Sequence, residues 1–302
     1  MPASRPTGTE PRLPAPLGGP HKLFDGSFVI EFLQIPADLD ATVLMRATYL
    51  GGHELTTLGK KHPQAPPLHI HFYQAESFIV ESGAAGTTTT YETIDTIHTT
   101  DGAYTQTAGR ATAVPTRSPA GVTVIPPYVP HTFWPSVAGP RTSLPREKTN
   151  AKHSVSPEHP FWATTAGQDY ERTLPSGRHT DTTLLIWGHP KTNTGPPTGT
   201  LTSDFPPDMD AAFFLALLSV VDAVHGQRLS MSPSVGAALM TTQTASGAAM
   251  ILAPRAWWLG PLRWAIPWAL QVALEWTRKL VDRRSVVHLV EEAIAREVVR
   301  KR

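Results

Sequence analysis

The sequence predicts a mainly β protein, a sandwich or barrel of many short strands, followed by a helical C-terminal region. Three observations carry this expectation. Proline makes up 30 of the 302 residues, which favours strands, turns and loops over a helical bundle. Short runs rich in β-branched and aromatic residues follow one another from about residue 28 to 125, separated by Gly, Pro and loop residues. After about residue 205 the apolar spacing changes to that of helices.

Taken in order, residues 1–22 hold six prolines and little apolar content, so they read as a disordered arm. Strands are expected at 28–35 (FVIEFLQI), 41–49, 67–72, 76–80, 86–94 and 121–125. Residues 136–180 are rich in Pro, Ser, Thr and charge, with no sustained period, and read as a long loop insertion. A strand resumes at 182–187 (TTLLIW) and is expected to return to the β domain, which spans 23–200. The helical region, 201–302, opens with a helix over 208–224, Asp208 or Asp210 serving as N-cap behind Pro206 and Pro207. Residues 256–280 hold five of the eight tryptophans. Residues 283–302 form an amphipathic pattern with Val287, Val290, Ile294 and Val298 on one stripe.

Composition narrows the function classes. A net charge of +1 gives no global basic surface for nucleic acid. Without cysteine there are no disulfides, thiolate metal sites or cysteine nucleophiles, which fits an intracellular protein. The N-terminal stretch has no apolar core of a secretory signal, so the expectation is a protein that is not secreted. The best apolar windows, 211–221 and 264–274, are 11 residues each, short of the roughly 18 that a spanning helix needs.

Chemistry concentrates in residues 67–83, PLHIHFYQAESFIVESG. On a strand, residues i and i+2 share a face, so His69 and His71 present two imidazoles side by side. Residues 72–75 can turn the chain, and Glu76 then brings a carboxylate back towards the same point. Two imidazoles and a carboxylate form a nitrogen and oxygen donor set suited to divalent Fe, Mn, Ni, Co or Zn. A second piece, residues 122–135, has a strand, a proline-rich turn and His131 at the start of the next strand, placed to supply a fourth ligand.

These stretches resemble the two motifs of the cupin family. The first matches H-x-H-x(3,4)-E-x(6)-G at His69, His71, Glu76 and Gly83. The second resembles P-x-G-x(2)-H-x(3)-N through Pro126 and His131, with Tyr128 at the glycine position and Pro135 at the asparagine position. Pro63 stands where a glycine usually precedes the first motif. The resemblance implies a cupin jelly-roll barrel, or double-stranded β-helix, with His69, His71, Glu76 and His131 holding one divalent metal ion, Fe, Mn, Ni or Zn. The chain is also similar to fungal cupin-domain proteins of secondary-metabolite pathways. That likeness rests on Pro66 and Pro67 before the metal motif, on Trp187-Gly188-His189-Pro190, and on DFPPDMDAAFF at 204–214.

Strand parity extends the site. If Glu76 points inward so do Phe78 and Val80, and His131 brings Phe133, giving either an apolar pocket wall or ordinary core. Glu54, after Gly51 and Gly52, and Tyr91 are candidate proton carriers at the mouth. His62, His98, His153, His159, His179 and His189 read as structural or surface residues. Trp257, Trp258, Trp264, Trp268 and Trp276 sit beside a tail with eight Lys/Arg against four Asp/Glu over 278–302. They predict either a helix in a membrane interface or a cap packed on the β domain or a partner.

The resulting expectation is a metal-dependent oxidoreductase, dioxygenase-like, acting on a hydrophobic small molecule of polyketide type. Two alternatives stay open: a non-redox isomerase or cyclase using Glu54 or Tyr91, and a non-catalytic binding or scaffolding cupin. Expected partners are that small molecule and, by family habit, a second copy in a homodimer, with membrane-surface association through the Trp-rich region. Nucleic acid is not among them, and the expected location is cytoplasmic or peripheral to a membrane.

Overall fold

The computed structural model describes residues 16–106, 116–136, 160–174, 180–190 and 210–281. Among them are thirteen strands and four α-helices. The strands are β1 (Pro16–Leu23), β2 (Phe28–Leu33), β3 (Val43–Tyr49), β4 (His69–His71), β5 (Glu76–Ser82), β6 (Ala84–Thr89), β7 (Ile94–Thr99), β8 (Gly102–Gln106), β9 (Thr116–Pro119), β10 (Thr123–Ile125), β11 (His131–Pro135), β12 (Thr182–Gly188) and β13 (Ala248–Met250). The helices are α1 (Thr165–Thr173), α2 (Ala211–His225), α3 (Pro233–Ala245) and α4 (Leu262–Val281).

Two antiparallel sheets result, one ordered β1-β2-β3-β12-β5-β10 and the other β13-β4-β11-β6-β7-β8-β9. From β4 to β6, and again from β10 to β12, the chain alternates between the sheets, as in a cupin-type jelly roll. The sheets face one another but do not close into a single hydrogen-bonded barrel, which corrects the closed form expected.

Period-two alternation explains the sandwich. Along β3, Val43, Met45, Ala47 and Tyr49 point into the space between the sheets with Phe28, Ile30 and Phe32 of β2. Leu44 points outward onto Leu33 and Trp187. Arg46, on the same outer face, donates to Glu81 at 2.7 Å. The outer face of the second sheet is covered in two places. Phe161, Trp162 and Tyr170 pack on Ala84, Ile97, Tyr104 and Trp134. Trp264 and Trp268 of α4 pack on Phe72, with ring centroids 5.3 and 4.9 Å away.

Several expectations change. Where a disordered arm is expected through residue 22, the chain is already strand β1 from Pro16, paired with β2. The strand expected over 86–94 is a hairpin, β6 and β7, turned through Thr90 and Thr93 at φ 62° and 56°. The insertion contains α1, capped by the Thr164 hydroxyl, which accepts from the Gly167 N–H. The C-terminal region is not helical alone, because β13 extends the second sheet beside β4. Residues 1–15, 107–115, 137–159, 175–179, 191–209 and 282–302, with the expected amphipathic tail, lie outside the described residues.

Asp210 is the N-cap of α2, its carboxylate accepting from the Phe213 N–H at 2.8 Å. Asp222 of α2 accepts the Phe24 N–H and pairs with Arg228, which ties the helix to the β1–β2 connection. In α4, Pro267 has no N–H to offer the Arg263 carbonyl. The Leu252 N–H takes that carbonyl instead, at 2.8 Å, so the helix runs on through the proline. Gln271 then closes the exposed edge of β13: its carbonyl accepts from Met250 N–H at 3.2 Å and its amide donates to Ala248 O at 3.0 Å.

Candidate metal centre

His69 and His71 face inward from β4, while Ile70 between them turns outward into the cluster with Phe72 and Ala249. His131 opens β11 and pairs in register with His69. Glu76 opens β5 in the other sheet, opposite Ile125 and Gly188. The site therefore bridges the sandwich, with three imidazoles from one sheet and a carboxylate from the other.

The turn between the sheets is held by the chain around Tyr128, whose N–H donates to the His71 carbonyl at 2.8 Å. Tyr128 stands at the family's glycine position and adopts φ 65°, the left-handed conformation that glycine takes freely. The motif's turn is kept without its glycine, at a cost of about 1–2 kcal/mol. Gly83 is different. It has φ 66°, and an added Cβ would collide with Asp181 and Thr182, so the last position of the first motif admits no side chain.

The ring nitrogens are oriented before any ion arrives. His69 Nδ1 lies 2.9 Å from the Pro67 carbonyl and His131 Nδ1 2.8 Å from the Val129 carbonyl. A carbonyl only accepts, so both Nδ1 atoms carry a proton and both Nε2 atoms are turned into the cluster, where loss of any second proton frees their lone pairs for a metal. His69 Nε2 lies 3.1 Å from His71 Nε2, His71 Nε2 3.5 Å from Glu76 Oε1, and His131 Nε2 3.3 Å from Glu76 Oε2. An ion bound at about 2.0–2.1 Å sees its ligands roughly 3.0–3.4 Å apart, so these separations are those of a coordination shell. The three histidines bring ligand atoms within 4.8 Å of one another.

Electrostatics point the same way. Burial holds the His69 imidazole well below its usual range, reinforced by His131 and His71. Burial likewise takes His71 to about 4. For Glu76, burial pushes upward, but His71 and the bond to His131 outweigh it and bring the carboxyl to about 2. Near neutral pH the cluster holds a buried Glu76 carboxylate beside the neutral imidazole of His71, and among the described residues no Lys or Arg lines the cavity next to it. A buried anion without a countercharge is unfavourable, and a divalent cation supplies one. The residues present fit a metal ion.

His69, His71 and Glu76 line one wall of a cavity of about 200 Å³. Its other walls are Phe28, Ile30, Met45 and Ile186 from the first sheet, Phe133 from the second, and Phe213, Phe214, Leu217, Leu218 and Val221 of α2. The part played by α2 escapes sequence reasoning, since an apolar helix face reads alike whether it meets core or cavity. Polar exceptions occur. The Tyr49 hydroxyl donates to Gln64 Oε1, and Gln243 Oε1 is buried with no hydrogen-bond partner among the described residues.

Of the expected pocket residues, Phe133 lines the cavity. Phe78 lies behind it in the core, ring to ring at 5.1 Å. Val80 packs against that core and borders a separate void of about 20 Å³ with His98, room for one water at most. Neither expected proton carrier reaches the site. Glu54 is exposed and lines no part of the cavity, and Tyr91 lies outside it, beneath the Arg263 guanidinium at 3.7 Å. The reason is local: Glu54 sits at the N-cap of a 3-10 segment, Leu55–Lys61, and the β6–β7 turn carries Tyr91 to the side covered by α4.

The other described histidines hold structural bonds. His62 Nδ1 accepts from Gln64 N–H and its Nε2 donates to the Ser27 hydroxyl, His98 pairs with Thr87, and His189 with Ser77. Expected histidines 153, 159 and 179 lie outside the described residues.

No family model and no curated protein matches the chain. Among solved structures, the polyketide cyclase RemF from Streptomyces resistomycificus is 14% identical, with 65% of this chain and 82% of that one covered and a TM-score of 0.24. A cupin-2 domain protein from Rhodospirillum rubrum is 13% identical, with coverages of 64% and 84% and a TM-score of 0.24. The capsular polysaccharide assembling protein CapF from Staphylococcus aureus is 12% identical, with coverages of 54% and 26% and a TM-score of 0.24, so this chain spans about a quarter of CapF. The cupin-type description of the fold rests on the strand order and on the site's own residues. The likeness to fungal pathway proteins rests on the sequence segments alone.

Proposed function

We propose that the protein is a metal-dependent cupin enzyme that acts on a hydrophobic small molecule. The observation that carries this reading is the convergence of His69, His71, Glu76 and His131, the first three of which line a largely apolar cavity. A divalent metal held there supplies Lewis-acid or, with iron, redox chemistry. The chain's residues do the rest. Phe28, Phe133, Phe213 and Phe214 give aromatic walls to a planar or polycyclic body and exclude water from it. The unpaired Gln243 Oε1 offers an acceptor that would orient a substrate hydroxyl. The Pro67 and Val129 carbonyls fix His69 and His131 in the tautomer that binds metal.

Sequence resemblance supports a small-molecule substrate of polyketide type, and with iron bound the reaction class is dioxygen-using oxidation. A non-redox isomerisation or cyclisation needs a proton carrier in the cavity, and Glu54 and Tyr91 are outside it. Tyr49 lines the cavity, but burial raises its hydroxyl well above the usual range and Gln64 accepts its proton, so it stays neutral. The oxidative reading is therefore preferred.

The test is metal analysis of protein purified without a metal-binding tag, followed by turnover of aromatic polyketide substrates with and without oxygen. About one equivalent of metal, lost in His69→Ala/Glu76→Ala, together with oxygen-dependent turnover, is the expected result. Absence of metal binding after divalent ions are added back would overturn the proposal, and turnover at full rate without oxygen would replace oxidation by isomerisation.

A further inference from the structure

Helix α4 is amphipathic the wrong way round for a helix facing water. Its inward face holds Trp264, Trp268, Gln271 and Glu275, the last two buried at 2% and 1% exposure. Its outward face holds Leu262, Ile266, Leu270 and Leu274 at four-residue spacing, 49%, 40%, 60% and 41% exposed. Ala269, Ala273 and Trp276 widen the same face, and Thr277, the polar residue on it, turns its hydroxyl back to the Ala273 carbonyl. The 3-10 turn just before the helix, Trp257–Leu259, exposes Trp257 and Trp258 at 81% and 71%. The five tryptophans thus divide: Trp264 and Trp268 cap the sheet, while Trp257, Trp258 and Trp276 stand in solvent.

No charge interrupts the outward face between residues 262 and 277. Arg263 is drawn aside, its guanidinium donating to the Gly260 and Pro254 carbonyls and stacking on Tyr91. Basic residues begin where the face ends, with Arg278, Lys279, Arg283 and Arg284 within seven positions, and 278–302 carries eight Lys/Arg against four Asp/Glu. Among the described residues no helix is long and apolar enough to cross a membrane.

From this arrangement we infer that the outward face of α4, with Trp257 and Trp258, is a docking surface for an anionic membrane. Exposed tryptophans beside a leucine stripe suit the boundary between headgroups and acyl chains. The basic sequence at the end of the stripe supplies the complementary charge to acidic lipid. The inference is independent of the metal site, which lies on the opposite face of the second sheet.

The experiment is flotation of the full chain with vesicles of phosphatidylcholine mixed with phosphatidylserine, and with phosphatidylcholine alone. Wild type is expected to float with the mixed vesicles, less with the neutral ones, and less again as salt is raised. The triple variant Trp257→Ser/Trp258→Ser/Leu270→Glu is expected to partition roughly tenfold more weakly while keeping its circular dichroism. Quenching of tryptophan emission by brominated phosphatidylserine reads insertion in wild type without any substitution. Failure to float with either vesicle, or flotation and quenching unchanged by the substitutions, would overturn the inference. So would a dimer in solution that Leu270→Glu splits, since the face would then belong to a second copy.

Discussion

Glu76 reaches across the sandwich to His131, its Oε2 lying 3.3 Å from the histidine Nε2, and this contact joins the two sheets at the candidate metal centre. The pair holds β5 of one sheet against β11 of the other through charged and polar groups deep in an apolar interior. A metal held by these residues would couple binding to folding, because an ion that binds the assembled ligands does not find them assembled in the unfolded chain.

Added divalent metal is therefore expected to raise the unfolding temperature of the wild-type protein. At a hundredfold excess over the dissociation constant the stabilisation is about 2.7 kcal/mol. In His69→Ala/Glu76→Ala the same addition should leave the melting curve where it was. Differential scanning fluorimetry across a metal titration reads both, and an equal rise in the two proteins would place the ion elsewhere.

Phe78→Ala separates core from pocket. The ring is 1% exposed and packs on Phe133 and His98, so its removal is expected to destabilise the fold by about 3–5 kcal/mol. Metal content should stay near that of wild type, because Phe78 touches none of the ligands in ring-to-ring contact. Leu217→Trp is the complementary change. Leu217 lines the cavity from α2, so a larger ring there should weaken binding of a hydrophobic ligand while stability and metal content hold. Urea denaturation and metal analysis check the first, and ligand titration by fluorescence the second.

How much of this was legible in the sequence follows from which interactions are local. His69 and His71 share a face because strands have period two, and Glu76 follows after a turn, so the convergence of these three candidate ligands was readable from one short stretch. His131 was readable from the strand and turn before it. Tyr128 shows why a missing motif glycine misleads: the backbone takes the left-handed conformation anyway. Glu54 and Tyr91 misled for the opposite reason. Nearness to the motif along the chain says nothing about which side of a sheet a connecting turn falls on. Likewise parity tells that Phe78 and Phe133 both point inward, but the depth that makes one core and the other cavity wall depends on α2, which lies far along the chain from both.

Edge protection of β13 by Gln271 is expected to matter for stability. Gln271→Leu leaves the Met250 N–H and the Ala248 carbonyl without their partner in a buried place, at a cost of about 1–3 kcal/mol for each group left unpaired. Gln271→Glu keeps the acceptor for Met250 and loses the donor to Ala248, so it should fall between Leu and wild type or below both. Chemical denaturation of the three proteins ranks them, and a Leu variant as stable as wild type would mean that β13 does not need the amide.

The acid side of the stability profile belongs in part to two buried histidines remote from the metal ligands. Burial lowers His62 to about 4, with His225 and His53 adding to the effect, and burial alone lowers His98 to about 4. For His62 a hydrogen bond adds to burial, because Nδ1 accepts from the Gln64 N–H and so must stay bare. In the unfolded chain the same residues titrate near 6.5. Above that pH neither state binds the proton and the histidines add no slope. As pH falls from about 6.5 towards 4 the unfolded state takes up protons that the folded state refuses, so stability is lost at up to about 1.4 kcal/mol per pH unit for each histidine. Below about 4 the folded state protonates as well and this contribution levels off. His98→Asn, which can keep a hydrogen bond to the Thr87 hydroxyl, is expected to flatten the slope between pH 6.5 and 4 relative to wild type, whatever it does to stability at pH 8. Urea midpoints of the metal-free proteins across that range measure the slope directly, and parallel curves would show that His98 is not one of the groups that titrates on unfolding.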